Sequence, residues 1–409
     1  MKLVQLLPFV GLTVALPWMA DKRQQSGGAQ PGGPITCPFN PVHVPAAPWN
    51  PEFPYNNAKL GLPGKGKGGY QVPAPGDTAH RFIPPTDKDI RGPCPGLNAL
   101  ANHGFIARDG ITTYSELLDA LQNVYNVGYD LANFLAFYAI YVAGLGDPVT
   151  KKLSIGCDAT TRTSWAPLIT GSEPGLVGHS KMEIDASLTR NDFFPAGGDN
   201  FSFNTTLFKM FEQSTGGIFN VSTISKYRYE RWHQCRAENS QFYFPILGLF
   251  QYGAASFLYE LWPNGNEGYV PNLHNTATFF GAARLPDGSY ARVPERIPSN
   301  WTNRLTPYTL PGIAAEIFKM YTLNPVGFGG NAGGEFVGIS APPFINDGAL
   351  NSNTTAKDFS CLLYQILSRP VPSTLNGIVT PLVEATETLL VELFGNEFNN
   401  LGCPLALTK

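Results

Sequence analysis

The chain has 409 residues, a formal net charge of −3 at neutral pH and only 14% charged residues. It contains no basic segment of the kind that binds nucleic acid, and 43% hydrophobic residues suffice for a sizeable core. Gly (43) and Pro (36) together make about a fifth of the chain, so long irregular stretches are expected.

The first residues have the pattern of a secretory signal peptide. Lys2 gives a basic start, and Leu3 to Leu16 form an apolar stretch that is too short to span a bilayer. We therefore predict residues 1–20 as a signal peptide, cleaved after Ala15 or Ala20; a buried N-terminal helix is the alternative. No later segment predicts a membrane span.

Five Asn-x-Ser/Thr sites fit a secreted glycoprotein, at Asn200, Asn204, Asn220, Asn300 and Asn353.

Residues 21–79 form a Pro/Gly-rich N-terminal segment, and its irregular character continues to about residue 92. We predict that this segment wraps a helical core as coil. Its first part, through Pro34, is predicted to be removable at Lys22-Arg23 or to remain as a flexible N-terminus.

From Pro93 onward the pattern becomes helical. Thr113-Tyr-Ser-Glu116 is a capping box, and the apolar spacing behind it predicts one long amphipathic helix that reaches Tyr138. Strand signals are weak, and no repeat or polar linker divides the chain. We predict a mostly α fold, a single large helical domain with long Pro/Gly-rich loops. Further helices are predicted over residues 206–214, 225–238, 248–262, 310–321, 356–367 and about 378–394.

Cys94 has an unusual setting, because Pro93 and Pro95 fix the backbone on both sides of it. Pro95 suits the first position of a helix, which places Cys94 at the N-cap, where free N–H groups and the positive end of the helix dipole face its sulfur. Such a site should lower the thiol pKa, and a thiolate that donates electrons to haem iron favours cleavage of the O–O bond of peroxide. Pairing in a disulfide is the alternative, and it is the commoner fate of a secreted cysteine.

The run Pro93-Cys-Pro95, continued by Leu97-Asn98 and Ala101-Asn-His-Gly104, resembles the signature of the fungal haem-thiolate peroxidases. These are the chloroperoxidase and unspecific (aromatic) peroxygenase group. The resemblance covers roughly residues 80–265, is weaker up to Cys403, and implies a haem-thiolate peroxidase domain over residues 80–409. In that family the cysteine between the prolines binds the iron. The resemblance thus implies that Cys94 is the catalytic ligand of haem b (iron protoporphyrin IX).

A second motif begins at Gly178 and contains Glu183, Asp185 and Ser187 in alternation. In extended backbone, residues two apart face the same way, and two carboxylates with a hydroxyl suit Mg²⁺. The family has Glu-Gly-Asp or Glu-His-Asp here, and binds a divalent cation beside a haem propionate. The resemblance implies that Glu183, Asp185 and Ser187 bind such a cation, with the carbonyl of Ile184 as a further ligand. A solvated acidic loop is the alternative.

The proton-handling groups of the family are missing. Ile184 stands where some members have His, and Ala254 aligns with the Glu that serves as distal acid in the family. Glu238, Gln251 and Glu260 are the nearest substitutes, and each is expected to be structural. Water or an acid of the substrate are further possibilities. The Tyr252-Gly-Ala-Ala255 pattern resembles the sterigmatocystin-type biosynthetic branch of the family.

The resemblance implies a secreted enzyme that uses hydrogen peroxide to oxidise or oxygenate a small apolar or aromatic organic substrate, with no nucleic-acid or membrane partner. One alternative is a secreted haem-binding glycoprotein that has lost peroxide chemistry with the distal Glu. Another is a disulfide-rich cell-wall protein without a cofactor. The family also implies a disulfide between Cys361 and Cys403. Of Cys37, Cys157 and Cys235, we expect one pair and one free thiol.

Overall fold

The structure is a computed structural model that describes residues 37–143, 145–164 and 174–368. This part of the chain is mostly helical, with a few small sheets between the helices. Its α-helices are α1 (Pro95–Asn102), α2 (Tyr114–Tyr125), α3 (Tyr129–Phe137), α4 (Thr205–Thr215), α5 (Val221–Glu238), α6 (Leu249–Glu260), α7 (Leu273–Phe280), α8 (Leu310–Leu323) and α9 (Ala356–Ser368).

The strands are short and antiparallel, and they join loops to the helical core. A three-stranded sheet has the order β1 (Ile111–Thr113), β3 (Lys152–Ser154), β2 (Gly146–Asp147), and a second has the order β4 (Tyr243–Phe244), β7 (Gly329–Ala332), β8 (Glu335–Gly338). Two hairpins pair β5 (Ala282–Arg284) with β6 (Tyr290–Arg292), and β9 (Ile345–Asn346) with β10 (Ala349–Leu350).

The capping box at Thr113 is confirmed: its hydroxyl accepts from the N–H of Glu116, and the Glu116 side chain accepts from the N–H of Thr113.

The prediction of one long helix behind this capping box is wrong. Asn126 adopts a left-handed conformation (φ 52°) that ends α2, and Gly128 is the N-cap of α3. The amide of Asn126 also donates to the carbonyls of Arg304 and Leu305, so the break is held by a distant loop. Beyond α3 the chain continues as a π-helical turn, Tyr138–Val142.

The helices predicted between residues 206 and 367 are confirmed as α4, α5, α6, α8 and α9. The Pro/Asn/Gly-rich stretch 263–310, for which no helix is predicted, contains α7 and the β5–β6 hairpin. α7 has only eight residues, which is too short for a helical period to be recognised, although Asn272 caps its start and Gly281 (φ 69°) ends it. The predicted helix at 378–394 and the signal peptide lie outside the described residues.

The N-terminal segment is coil from Cys37 to Pro93, as predicted, and it is fastened to the helices. Its backbone N–H groups at Ala47 and Val72 donate to the carbonyls of Gly104 and Trp301, each at 2.9 Å.

A disulfide joins Cys37 to Cys157, while Cys235 is free, which confirms the expected pattern of one pair and one thiol. Cys361 is disulfide-bonded, and Cys403 lies outside the described residues.

The core is one cluster of aliphatic and aromatic side chains, in which α8 packs on α6 and α5, and α2 packs on α3. Within the described ranges, every helix is too short or too polar to cross a membrane.

Candidate active site

Cys94 is the N-cap residue of α1, and Pro95 occupies the first helical position, as predicted. Its thiol is free of any disulfide. Burial raises the pKa of this thiol, whereas the N–H groups of Leu97 and Gly96, followed by the guanidinium of Arg190, lower it. The predicted lowering is therefore outweighed in the polypeptide itself, and a thiolate here needs a cation, such as iron, bound to the sulfur.

The loop before Cys94 is held rigidly on both sides. Asn98 accepts from the N–H of Gly92 and donates to the carbonyl of the same residue, both at 2.9 Å. Nε of Arg190 donates to the carbonyl of Pro93 at 3.1 Å. Gly92 has no space for a side chain, because a Cβ would lie 1.6 Å from the carbonyl oxygen of Ile155. The position of the sulfur is thus determined by main-chain contacts of its neighbours.

The sulfur of Cys94 faces an apolar cavity with a volume of about 260 Å³. Aliphatic and aromatic side chains make most of its wall. They come chiefly from α2, α3, α6 and α8, and include Leu117, Leu121, Phe134, Phe250, Phe257 and Ile313. Of the phenylalanines near the site, Phe250 and Phe257 line the cavity, whereas Phe193 and Phe194 are not among its lining residues. Phe193 instead stacks on His179, with ring centroids 4.5 Å apart.

Four charged or polar side chains lie in this apolar wall with unsatisfied atoms. Oε1 of Glu183, Nη2 of Arg190, Nε and Nη2 of Arg228, and Oε1 of Gln251 are buried and have no hydrogen-bond partner. Burial raises the pKa of Glu183 to about 8, although the charge of Arg190 acts in the opposite direction. Buried polar atoms without partners are rare in folded proteins, so this group indicates a missing ligand.

The three residues of the second motif do not share one face. Glu183 and Ser187 line the cavity, but Asp185 does not. The carboxylate of Asp185 instead accepts hydrogen bonds from Phe193 N (3.2 Å), Asn239 Nδ2 (3.1 Å) and Tyr243 N (3.2 Å). Residues two apart would face the same way only in extended backbone. Ala186 is left-handed (φ 65°), so the backbone between Asp185 and Ser187 is not extended.

Side chains from other elements fix the backbone of this loop. Nη1 of Arg228 donates to the carbonyl of Ala186 at 2.6 Å, and Nε of Arg231 donates to that of Ser187 at 3.0 Å. The amide of Gln251, on α6, donates to the carbonyl of Ile184. The loop and α6 are therefore joined directly at the cavity.

The arrangement fits a haem. A haem is a flat apolar macrocycle with an iron at its centre and two propionate carboxylates at one edge. The cavity offers an apolar wall, one thiol as a possible iron ligand, and the unpaired guanidinium nitrogens of Arg190 and Arg228 as partners for carboxylates. In the described ranges no three His, Cys, Asp or Glu side chains form a metal cluster. A cation beside Glu183 would thus need the Ser187 hydroxyl, a carbonyl or a propionate as well.

The helix predicted to carry the distal acid does face the cavity, through Phe250, Gln251, Gly253, Ala254 and Phe257 of α6. Glu183 is the one carboxylate among the described lining residues. Glu260 forms an ion pair with Arg304 at 2.7 Å. Glu238 is exposed and accepts from Gln234 at 3.1 Å. Both are structural, as expected, and Gln251 is the substitute that reaches the cavity.

Arg228 is a residue of the site that the sequence pattern did not indicate. It lies in a polar stretch of α5, between Tyr227 and Tyr229, where Arg231 and Glu230 suggest a solvated helix face. In the structure it is buried, with its guanidinium 4.8 Å from the centre of the Tyr252 ring. Only the combination of an arginine with large aromatic neighbours could have indicated that this helix face is buried.

Comparisons with known proteins agree with this geometry. Residues 80–306 match the model of the family described as peroxidase, family 2. The chain is 30% identical over 347 residues to an aromatic peroxidase of Fusarium equiseti, covering 80% of this chain and 78% of that protein. It is 37% identical over 227 residues to an aromatic peroxygenase of Coprinellus radians, covering 53% and 84%. It is 27% identical over 342 residues to a dothistromin biosynthesis peroxidase of Dothistroma septosporum, covering 80% and 81%.

The lack of space at Gly92 gives a test of how the cysteine loop is held. Gly92→Ala should cost about 1–3 kcal/mol of unfolding free energy, because the new methyl group overlaps the Ile155 carbonyl, and should also lower haem content. Denaturant unfolding and haem absorbance measure both. Gly312→Ala on α8 is the matched control, since its Cβ meets Tyr308 at an ordinary 3.4 Å. Equal stability and haem content in the two variants would show that close packing at residue 92 does not hold the loop.

Proposed function

This chain belongs to peroxidase family 2 and is a haem-dependent peroxidase or peroxygenase, and we propose that Cys94 binds the iron of a haem b in the apolar cavity. The observation that carries the proposal is a free thiol at a helix N-terminus, facing an apolar cavity whose charged groups lack partners. With peroxide, haem supplies two-electron oxidation of an organic substrate, for which the apolar wall favours apolar or aromatic compounds.

The chain's own residues bind and orient the cofactor in this proposal. Asn98 and Arg190 hold the loop that carries the sulfur. The unpaired nitrogens of Arg190 and Arg228 are available to the propionates, for which bidentate guanidinium groups are well suited. The aliphatic and aromatic wall excludes water from the reacting atoms. The observations favour this function over the loss of peroxide chemistry, because relatives over most of the chain are peroxidases and peroxygenases.

Replacement of Cys94 tests the iron ligand. Cys94→Ala should abolish the long-wavelength Soret band that distinguishes a thiolate-bound ferrous–CO haem, because no other thiol among the described residues lines the cavity. Cys235→Ala is the matched control: it removes the other free cysteine, which donates to Asp192 at 3.0 Å, and should keep the band. An unchanged spectrum in Cys94→Ala would refute the assignment.

We further propose that a divalent cation, Mg²⁺ by its preference for hard oxygen ligands, lies between Glu183 and a haem propionate. Ser187 and the carbonyl of Ile184 are the further ligands that the loop offers. Asp185, the third residue of the predicted set, does not line the cavity, and its carboxylate already accepts three hydrogen bonds. Its role in the proposal is therefore to fix the loop that carries Glu183.

Separate substitutions distinguish a ligand from an anchoring residue. Glu183→Gln should lose the ion and much of the haem, whereas Asp185→Asn should retain about one ion per haem in metal analysis. Affinity for Mg²⁺ should also rise as the pH is raised towards about 8, because burial keeps Glu183 protonated at lower pH and the ion must displace that proton. Ion loss in Asp185→Asn with retention in Glu183→Gln would reverse the two roles.

We also propose that peroxide activation is slow in this enzyme, because α6 presents Ala254 and no acid among its described residues that line the cavity. Ala254 is exposed, so a longer side chain has space there. Ala254→Glu should speed the reaction with peroxide by about 10²-fold in stopped-flow mixing, the lower part of the range for general acid–base catalysis. Ala254→Gln is the control, since it has the same size and no acid. No gain from Glu over Gln would place the proton source elsewhere.

The proposal also includes secretion after removal of residues 1–20, and glycosylation. It divides the rest of the chain into a wrapping segment (21–79) and a haem domain (80–409). The cleavable pattern at the N-terminus and the relatives' peroxidase character support it. The dothistromin biosynthesis peroxidase among the relatives supports a dedicated biosynthetic oxidation.

A further inference from the structure

A second cavity lies at the surface, outside the haem site. It is a groove of about 680 Å³ between α7 and the β5–β6 hairpin. Its lining includes Ala277, Ala282 and Tyr290, together with two exposed arginines, Arg284 and Arg296. None of the described residues that line it is acidic. The groove therefore combines an apolar floor with positive charge.

A series of aromatic rings lies between this groove and the haem cavity. Tyr290 lines the groove, and its ring centre is 4.8 Å from that of Phe208. Phe208 lies 5.5 Å from Phe280, and Phe280 lies 5.1 Å from Trp262. Both Phe280 and Trp262 line the haem cavity. A continuous series of ring contacts thus joins the two cavities.

The two ends of this series are side chains that can lose an electron. Trp262 lines the haem cavity and Tyr290 lines the groove, while the two phenylalanines between them provide contact. The hydroxyl of Tyr290 is buried and has no hydrogen-bond partner. Burial and the nearby Glu212 carboxylate raise the pKa of Tyr290 to about 12. Glu212 is therefore a base close to the phenolic proton.

We propose that the groove is a second oxidation site, at which a phenol too large for the haem cavity gives up one electron through Tyr290 and one proton to water. The inference rests on the proposed function, because the oxidising power comes from peroxide at the haem. Each electron passes from Tyr290 through the ring series to the haem site, and the Tyr290 proton moves to Glu212. The phenol then returns an electron to Tyr290, Glu212 returns the proton, and the proton of the phenol is released to water.

The reaction is balanced. Two phenols each lose one hydrogen atom and become phenoxyl radicals, and one hydrogen peroxide takes up two electrons and two protons to become two waters. No further oxidant is needed.

The charge of the groove selects among phenols. Arg284 is 58% exposed, and its ion-pair partner among the described residues is Glu212, at 3.8 Å. Arg296 is also exposed and donates to Ser299 rather than to a carboxylate. Both guanidinium groups can bind an anionic substituent, so the preferred donor is a phenol that carries a sulfonate or carboxylate.

Tyr290→Phe tests the route, with the haem-loaded enzyme and a sulfonated naphthol azo dye as the bulky donor. The variant keeps the ring and removes a hydroxyl without a partner, so it should fold normally. Its kcat for the dye should fall about tenfold or more with KM unchanged, while turnover of a small apolar substrate in the haem cavity stays the same. Tyr229→Phe, at an exposed tyrosine outside the ring series, is the control and should change neither activity.

A spectroscopic measurement and a binding variant make the test independent of overall activity. Freeze-quenched enzyme mixed with peroxide alone should show a tyrosyl radical by electron paramagnetic resonance, and Tyr290→Phe should lose this signal while Tyr229→Phe keeps it. Arg284→Gln should raise KM for the dye about threefold, as expected for an exposed charge pair, and leave the radical intact.

Retention of dye oxidation and of the tyrosyl signal in Tyr290→Phe would overturn the inference. A parallel loss of dye and small-substrate turnover would also overturn it, since the residue would then act on the haem site as a whole. Failure of the proposed function is distinguishable, because then even the unaltered protein would not turn over the small substrate.

Discussion

The guanidinium of Arg190 connects the two parts of the haem site, which are the loop that carries Glu183 and the loop that precedes Cys94. It belongs to the loop that carries Glu183, and its Nε donates to the carbonyl just before Cys94. Because Arg190 is buried, water does not screen its charge, which lowers the pKa of both the Cys94 thiol and the Glu183 carboxyl. Burial in turn lowers the pKa of Arg190, and the Glu295 carboxylate, 3.8 Å away, acts in the opposite direction. Burial of these charges costs free energy of desolvation. A bound cofactor supplies the partners that the polypeptide alone does not provide.

Long irregular segments can surround such a site because buried asparagines satisfy their backbones. Asn303 accepts from the N–H of Tyr70 at 2.9 Å and donates to the carbonyl of Val124 at 3.0 Å, which ties the N-terminal segment to α2. Asn264 accepts from the N–H of Thr302, also at 2.9 Å. A loop that is buried without such partners would lose about 1–3 kcal/mol for each unsatisfied group. The Gly- and Pro-rich composition is thus compatible with a well-defined cavity.

Local signals in the sequence were sufficient for the helices, the capping box at Thr113 and the N-cap at Cys94. They failed where distant contacts decide the conformation. The break at Asn126 depends on the loop at residues 304–305, and the orientation of Asp185 depends on Asn239 and Tyr243. Arg228 is buried by aromatic neighbours on other elements, which no periodicity in α5 can indicate. Two of the three motif residues line the cavity, and the side of the loop that each residue faces is decided by tertiary contacts.

The tyrosines around the haem cavity differ in how readily they can release a proton, and this difference selects one of them. Tyr125 donates its hydroxyl to the carbonyl of Gly96 at 2.8 Å, and Tyr138 donates to that of Lys181 at 3.0 Å. A carbonyl oxygen is a weak base, so these two side chains keep their phenolic protons and resist oxidation, although both lie against the cavity. Tyr290 is farther from the cavity, but its hydroxyl has no such acceptor and lies near the carboxylate of Glu212. The two tyrosines at the cavity are therefore protected by their hydrogen bonds to carbonyl oxygens, whereas Tyr290 has a carboxylate near its phenolic proton.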